Sequence, residues 1–367
     1  MTKQSQQGGD GSTNIQAGTV ITYVGIDEKR AREICREVNL QLKREYTQEA
    51  LEIANSRVSE FENNLVKKME LVDGALEAFA NPAFQLLLAN AQKAAAATER
   101  KEDYSLLSEL LVHRFRKHGD RVTCAGINVA VEVVDKVSDE ALLGLTVAHA
   151  IASFRPLEGG TLKGLDLLDQ LFGKVRYNEL PQGSEWLDHL DILNAVRINS
   201  FGSLKKLDQV YAEALNGYFA VGIERNSDAY NEALETLKKV HITKDALIKH
   251  ELNENYVRLN VSNKQDLEAM YVQVSVPRNG GVVMTPVKLS EQQINALKTV
   301  YGLYSTDKAS QDKVLGAFRL ELDKRENLRV VRNWWDNIPI SFNITSAGKV
   351  LAHANAQRCD PSLPPLN

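Results

Sequence analysis

Apolar positions between Thr47 and Val72 recur three and four residues apart. Leu51, Ala54, Val58, Phe61, Leu65, Lys68 and Val72 form a heptad seam with one polar interruption, Lys68, beside which Met69 can cover the gap. Glu49, Glu52, Arg57, Glu60, Glu62 and Lys67 lie on the flanks, so the helix needs one partner surface, from its own chain or from a second copy. Three heptads are short for a coiled coil, which favours the intramolecular partner.

The same reading predicts helices along most of the chain. Asp27 caps a helix running to about Gln41. Asn81-Pro82 starts another, with Phe84, Leu87, Leu88 and Ala91 on its apolar stripe, and Tyr104 to Lys117 follows with Leu107, Leu110, Leu111 and Phe115 inward. Helical spacing continues from Arg121 to Phe154, broken at Ser138, although Val129, Val131 and Val133 also alternate as a strand would. After the Pro156–Gly164 loop, helices are expected over 165–172, 184–197, 203–219 and 227–240. Ser290 and Gln293 make a capping box for a helix to Tyr304, another spans 312–326, and a strand at 340–344 leads through Thr345 into a terminal helix. The tail from Asp360, rich in proline, is expected to fray.

Strand patterns are few. Ile15 to Val24 is β-branched and alternating around Gly18, and Tyr256–Leu259 reads as a short strand. Val272 to Val287 reads as a β region that Arg278-Asn-Gly-Gly281 could close into a hairpin, and Pro277 and Pro286 make it either an edge ribbon or simply a loop. The fold class is therefore mainly α and multi-helix, with a short amino-terminal β segment and a small β ribbon near 272–287. Three regions are expected: a tail with a β oligomerisation segment (1–26), a helical region (27–155) and a second helical region (156–367) ending in a strand-to-helix module.

Composition narrows the function classes. The 367 residues carry a net charge of −4, with 43% hydrophobic and 25% charged positions, as in an ordinary globular protein of two or three domains rather than a basic nucleic-acid binder. Three dispersed cysteines without a C-x-x-C pattern suit a reducing compartment. No apolar run approaches the roughly eighteen residues of a membrane span, and the polar start MTKQSQQGGDGSTN lacks a signal-peptide core, so a cytoplasmic location is expected.

Three stretches carry a resemblance. Gly9–Gly18 with its Asn-Ile-Gln core, Asn81–Gln92 with Leu106–Arg114, and Ile344–Ala352 with its Thr-x-x-Gly step occur in an order and spacing that resembles an uncharacterised bacterial family known by locus tags. The resemblance brings no activity and no catalytic residue. Openings similar to Asn14–Gly18 also stand on other bacterial proteins, some suspected of roles in conflict with phage, and this similarity implies a stress or phage-defence setting.

Motifs of catalysis are missing. The sequence holds no G-x-x-x-x-G-K-[ST], G-x-G-x-x-G, H-E-x-x-H or G-x-S-x-G, so no cofactor, metal or catalytic residue is assigned. Glu185, Asp188, His189 and Asp191 form the densest acidic and histidine cluster, with Glu185 and His189 on one helical face. It marks where an unrecognised hydrolase site would lie, although a solvated face is the simpler reading. Cys124 reads as buried and inert, Cys35 as partly exposed, and His149 as a core histidine bonded to a carbonyl.

Arg114, Arg116, Lys117 and Arg121 are candidate anion-binding residues at a helix end, where cations also meet the helix dipole. The Asn343–Lys349 step, with Lys324, Arg325, Arg329 and Arg332 before it and Trp334 and Trp335 close by, resembles a winged-helix module. The expected function is a non-enzymatic, oligomerising interaction protein that partners itself, through Ile15, Val20, Ile21, Val24, Leu51, Val58, Phe61 and Leu65, and an unknown protein. A nucleic-acid-binding regulator is the alternative, and no membrane association is expected.

Overall fold

The computed structural model describes residues 26–39, 47–269, 271–278 and 281–366. Helices dominate. The amino-terminal part comprises α1 (Glu28–Asn39), α2 (Gln48–Glu70), α3 (Pro82–Ala97), α4 (Glu102–Arg116), α5 (Arg121–Val133) and α6 (Asp139–Ser153). Then come α7 (Thr161–Val175), α8 (Glu185–Ile192), β1 (Val196–Asn199), α9 (Leu207–Ala214) and α10 (Asn216–Phe219). A β-bearing stretch holds β2 (Ile223–Glu224), α11 (Asp228–Lys239), β3 (Leu247–Lys249), β4 (Tyr256–Leu259), β5 (Tyr271–Arg278), β6 (Gly281–Lys288) and α12 (Glu291–Gly302). The chain closes with α13 (Lys308–Asp323), α14 (Glu326–Asp336), β7 (Ser341–Ile344) and α15 (Ser346–Cys359).

Local chemistry explains many of these boundaries. The Asn81 side chain accepts from the Ala83 and Phe84 N–H groups ahead of Pro82, and Ser290 and Gln293 make the predicted reciprocal capping box. Three predicted boundaries shift. Asn194, at φ 59°, ends α8 early, and the chain turns into β1 rather than staying helical to Arg197. The helix expected from Ser203 starts at Leu207, whose N–H is capped by the Asp336 carboxylate 2.8 Å away. Asp307, not a residue nearer 312, caps α13.

The seam of α2 is buried within its own chain. Val58, Phe61 and Leu65 are fully enclosed and Leu51 is half-buried, with α3 and α4 packed on the helix. Lys68, the polar break in the seam, pairs with Glu109 of α4. The stripes of α3 (Phe84, Leu87, Leu88, Ala91) and α4 (Leu107, Leu110, Leu111) are buried in the same core, and the two helices pack together as their spacing predicts.

The predicted boundary at 155/156 does not divide this core. A single cluster joins Ala31 in α1 to Ala356 in α15, because α15 packs on α4, α5, α6 and α7. Its residues Ala347 to Gln357 are almost all buried, so the carboxyl-terminal helix is the centre of the fold. The Thr-x-x-Gly step makes that approach possible. Thr345 Oγ1 accepts from the Gly348 N–H and donates to the Asn194 carbonyl at 2.6 Å. A side chain at position 348 would run into the Ala195 carbonyl, so only glycine lets α15 lie this close to the start of β1.

A second, smaller core forms inside residues 223–300, from Ile223, Leu237, Val257, Leu259, Leu297, Val300 and their neighbours. Its sheet has the antiparallel order β2-β4-β3. β1 pairs with β7 in register Val196↔Ile344, tying the two ends of the carboxyl-terminal half. The ribbon β5–β6 pairs from Tyr271↔Lys288 to Arg278↔Gly281, as predicted; Asn279 and Gly280 lie outside the described residues.

Candidate functional site

β5 and β6 form a two-stranded sheet of their own, with eight residues in each strand, and among the described contacts between elements each strand's substantial partner is the other. Tyr271 and Val287, at its base, are exposed. A free-standing pair of this kind is marginal in water and offers two rows of unpaired backbone groups. The ribbon is therefore the element with the strongest physical need for a partner. Ile15, Val20, Ile21 and Val24, predicted to assemble the protein, lie outside the described residues. Val58, Phe61 and Leu65 cannot reach a second copy while α3 and α4 cover them.

The basic stretch is split by burial. His113 faces the core, Arg114 and Lys117 are half-buried, and Arg116 and Arg121 are exposed. Arg114 makes no ion pair among the described residues and its Nε is buried without a partner. It lines a cavity of about 240 Å³ with Phe84, Phe115, Asn81 and His118.

The winged-helix resemblance ends at the strand-to-helix step. A recognition helix must enter a groove, and α15 is enclosed on every side. Arg325 is held by Asp166, Glu321 and the Leu162 carbonyl, and Arg332 by Asp323, so these cations are spent inside the chain. Trp334 and Trp335 donate to the Pro181 and Lys205 carbonyls, both at 2.8 Å.

In the cluster at 185–191, His189 has a partner within the chain. The Ser138 N–H donates to His189 Nε2 at 3.1 Å, joining α8 to the start of α6. Among the described residues, no group of three or more His, Cys, Asp or Glu is arranged to hold a metal ion, and no helix is long and apolar enough to cross a membrane. Cys35, expected to be partly exposed, is buried, and desolvation pushes its thiol up to about 12. Cys124 is buried as expected and donates to the Lys117 carbonyl.

Three of the seven histidines meet where α4, α6 and α15 pack, an arrangement the sequence reading missed. His353 Nε2 lies 3.0 Å from the Pro364 carbonyl and must donate to it, which leaves Nδ1 to accept from His149 Nε2 at 3.2 Å. His149 Nδ1 then accepts from the Ser153 hydroxyl at 3.2 Å, not from a carbonyl. His113 Nε2 donates to Gln357 Oε1, and Gln357 Nε2 donates to the Leu363 and Pro364 carbonyls. Both lines end on the tail expected to fray, which is docked instead. Desolvation holds His113 down at about 4 and His149 at about 3, and lowers His353, so all three are neutral at pH 7. The signal for this cluster was in α15 itself: Ala347, Gly348, Ala352, Ala354 and Ala356 leave no bulky face, as suits a helix packed all round.

A family model described only by a locus-tag "-like" label matches residues 25–363. The chain belongs to that family. No curated protein and no solved structure matches. Membership agrees with the resemblance carried by Asn81–Arg114 and Ile344–Ala352, while the whole of the Gly9–Gly18 opening precedes the matched region.

Proposed function

We propose that this protein works through assembly: a non-enzymatic, oligomerising interaction protein of the bacterial cytoplasm, acting in a stress or phage-defence setting. The observation that carries the reading is the free-standing β5–β6 ribbon. Sixteen residues committed to a two-stranded pair gain little stability from that pairing by itself. A third strand added at either edge would satisfy a row of backbone groups and make the ribbon worth forming. The β-patterned segment from Ile15 to Val24 is the nearest strand supply in sequence character, and pairing between identical copies closes by symmetry.

Light scattering tests this on three chains: full length, one starting at Asp27, and one with residues 271–288 replaced by a short Gly-Ser linker. The two strand ends are paired neighbours, so a short linker spans them. The expected result is an oligomer at full length and fewer chains per particle in both shortened forms. An unchanged particle mass in the ribbon replacement overturns the reading. An unchanged mass only in the chain starting at Asp27 removes the amino-terminal segment from it and leaves the ribbon.

A further inference from the structure

A cavity of about 490 Å³ opens beside α15, on the side away from the histidines. Glu102, Asp139, Lys174, Tyr177, Asn355 and Arg358 are among its walls. Its size falls in the range of small-molecule sites. Asn355, fully buried, organises one wall. Its Nδ2 donates to Thr146 Oγ1 at 2.8 Å and its Oδ1 accepts from Arg358 Nε at 2.8 Å. The Arg358 guanidinium also lies over the Tyr177 ring, 5.3 Å from its centroid. The fork is thus held at Nε and across its face, while neither Nη bonds to any group among the described residues.

Carboxylates line the same cavity and do not neutralise it. Asp139 pairs with Arg100, which also holds the buried Asp103, and Glu102 is exposed in the first turn of α4 without a partner among the described residues. Lys174 is engaged by Asp360. An ordered, half-buried arginine and an unpaired carboxylate therefore share one cavity without meeting. A planar fork fixed in this way suits a carboxylate, and a ligand ammonium would answer the acidic wall.

We propose that this cavity binds a small zwitterion of the amino-acid class, its carboxylate on the Arg358 guanidinium and its ammonium at Glu102 and Asp139. The site is separate from the ribbon and does not depend on the assembly reading.

Cys359 lines the cavity and is the least buried of the three cysteines, so it reports occupancy. Full-length protein is treated with iodoacetamide, and alkylation of Cys359 is followed by peptide mass spectrometry. The probes are glycine, 4-aminobutyrate and 6-aminohexanoate, with hexanoate and hexylamine as single-charge controls. The expected result is saturable protection of Cys359 by a zwitterion of fitting length, at a concentration at least tenfold below that of either control. Arg358→Gln and Glu102→Gln should each raise that concentration at least tenfold. Glu102 is exposed, so its variant tests the idea even where Arg358→Gln fails to fold. No protection by any of the three zwitterions at millimolar concentration overturns the proposal. So does protection that the folded Glu102→Gln protein retains unchanged.

Discussion

Around α15, helices cover a helix on all sides, and the polar groups caught inside are mostly neutral: three histidines, Asn355, Gln357 and Thr146, bonded to one another and to the tail. Around β4 the means are different. The apolar cluster there is small, and its largest fully buried side chain is a charged one. Arg258 Nη2 donates to the Gly159 carbonyl and Thr161 Oγ1, at 2.6 and 2.9 Å. Its Nη1 donates to the Leu259 and Val261 carbonyls at 3.2 and 3.1 Å, and Tyr218 lies beneath the guanidinium. A large core can leave stability to packing. A small one beside it is also tied to the larger body by directional bonds, and the buried Arg258 supplies two of them, to Gly159 and Thr161.

The sharpest way to break the large core is Leu88→Asp. Leu88 is fully enclosed between α3 and its neighbours, so the change loses packing and buries an unpaired charge. Several kcal/mol of destabilisation is expected, roughly 4 or more, and the whole chain should lose hydrogen-exchange protection together. An unchanged melting temperature would mean that α3 does not pack as described.

Arg258→Leu should instead separate the two regions. It strips the buried Thr161 hydroxyl and the Gly159 and Val261 carbonyls of their Arg258 donor, at on the order of 1–3 kcal/mol for each group left unsatisfied. Amides of residues 223–300 should exchange faster, while those of α4, α5 and α15 keep their protection. Uniform loss across the chain would show that the two cores unfold as one unit, and that the contrast drawn here is only one of composition.

Both regions could be read from sequence in part, and the line fell between local and distant contacts. Caps and stripes are local, so Asn81-Pro82, the Ser290–Gln293 box and the α3 and α4 faces were legible, as was the ribbon around Arg278-Asn-Gly-Gly281. What escaped depends on contacts across the chain. His113 and Gln357 are 244 residues apart, and Arg258 and Gly159 are 99 apart, and no periodicity links either pair. Arg258 sat in a four-residue strand where an arginine reads as a solvent-facing position. The cavity beside α15 was invisible for the same reason: its walls come from α4, α6, α7 and α15, and Asn355 and Arg358 become informative only once that helix is known to be central.

The smallest expected effect at neutral pH, and a growing one below it, concerns protonation. His113, His149 and His353 in the large core are all held below the ordinary histidine value by desolvation, and His250, against the Ala220 carbonyl near the small core, is held down at about 4 in the same way. In the unfolded chain each would titrate near 6.5, about its free value. Between that value and the folded one, the unfolded state binds more protons, so stability falls as pH falls. The contribution is complete above about pH 6.5 and is lost progressively down to about 4 for His113 and His250 and about 3 for His149. His113, His149 and His250 should each cost about 2 kcal/mol by pH 5, and His353 shifts in the same direction. The large core, with three, should therefore lose more than the small one, with one. Urea midpoints at pH 7 and pH 5, followed by exchange in each region, check this. His149→Phe should flatten the pH dependence of the large core and leave that of residues 223–300 alone. A variant that keeps the full acid slope would show that His149 is not kept neutral by its burial against His353 and Ser153.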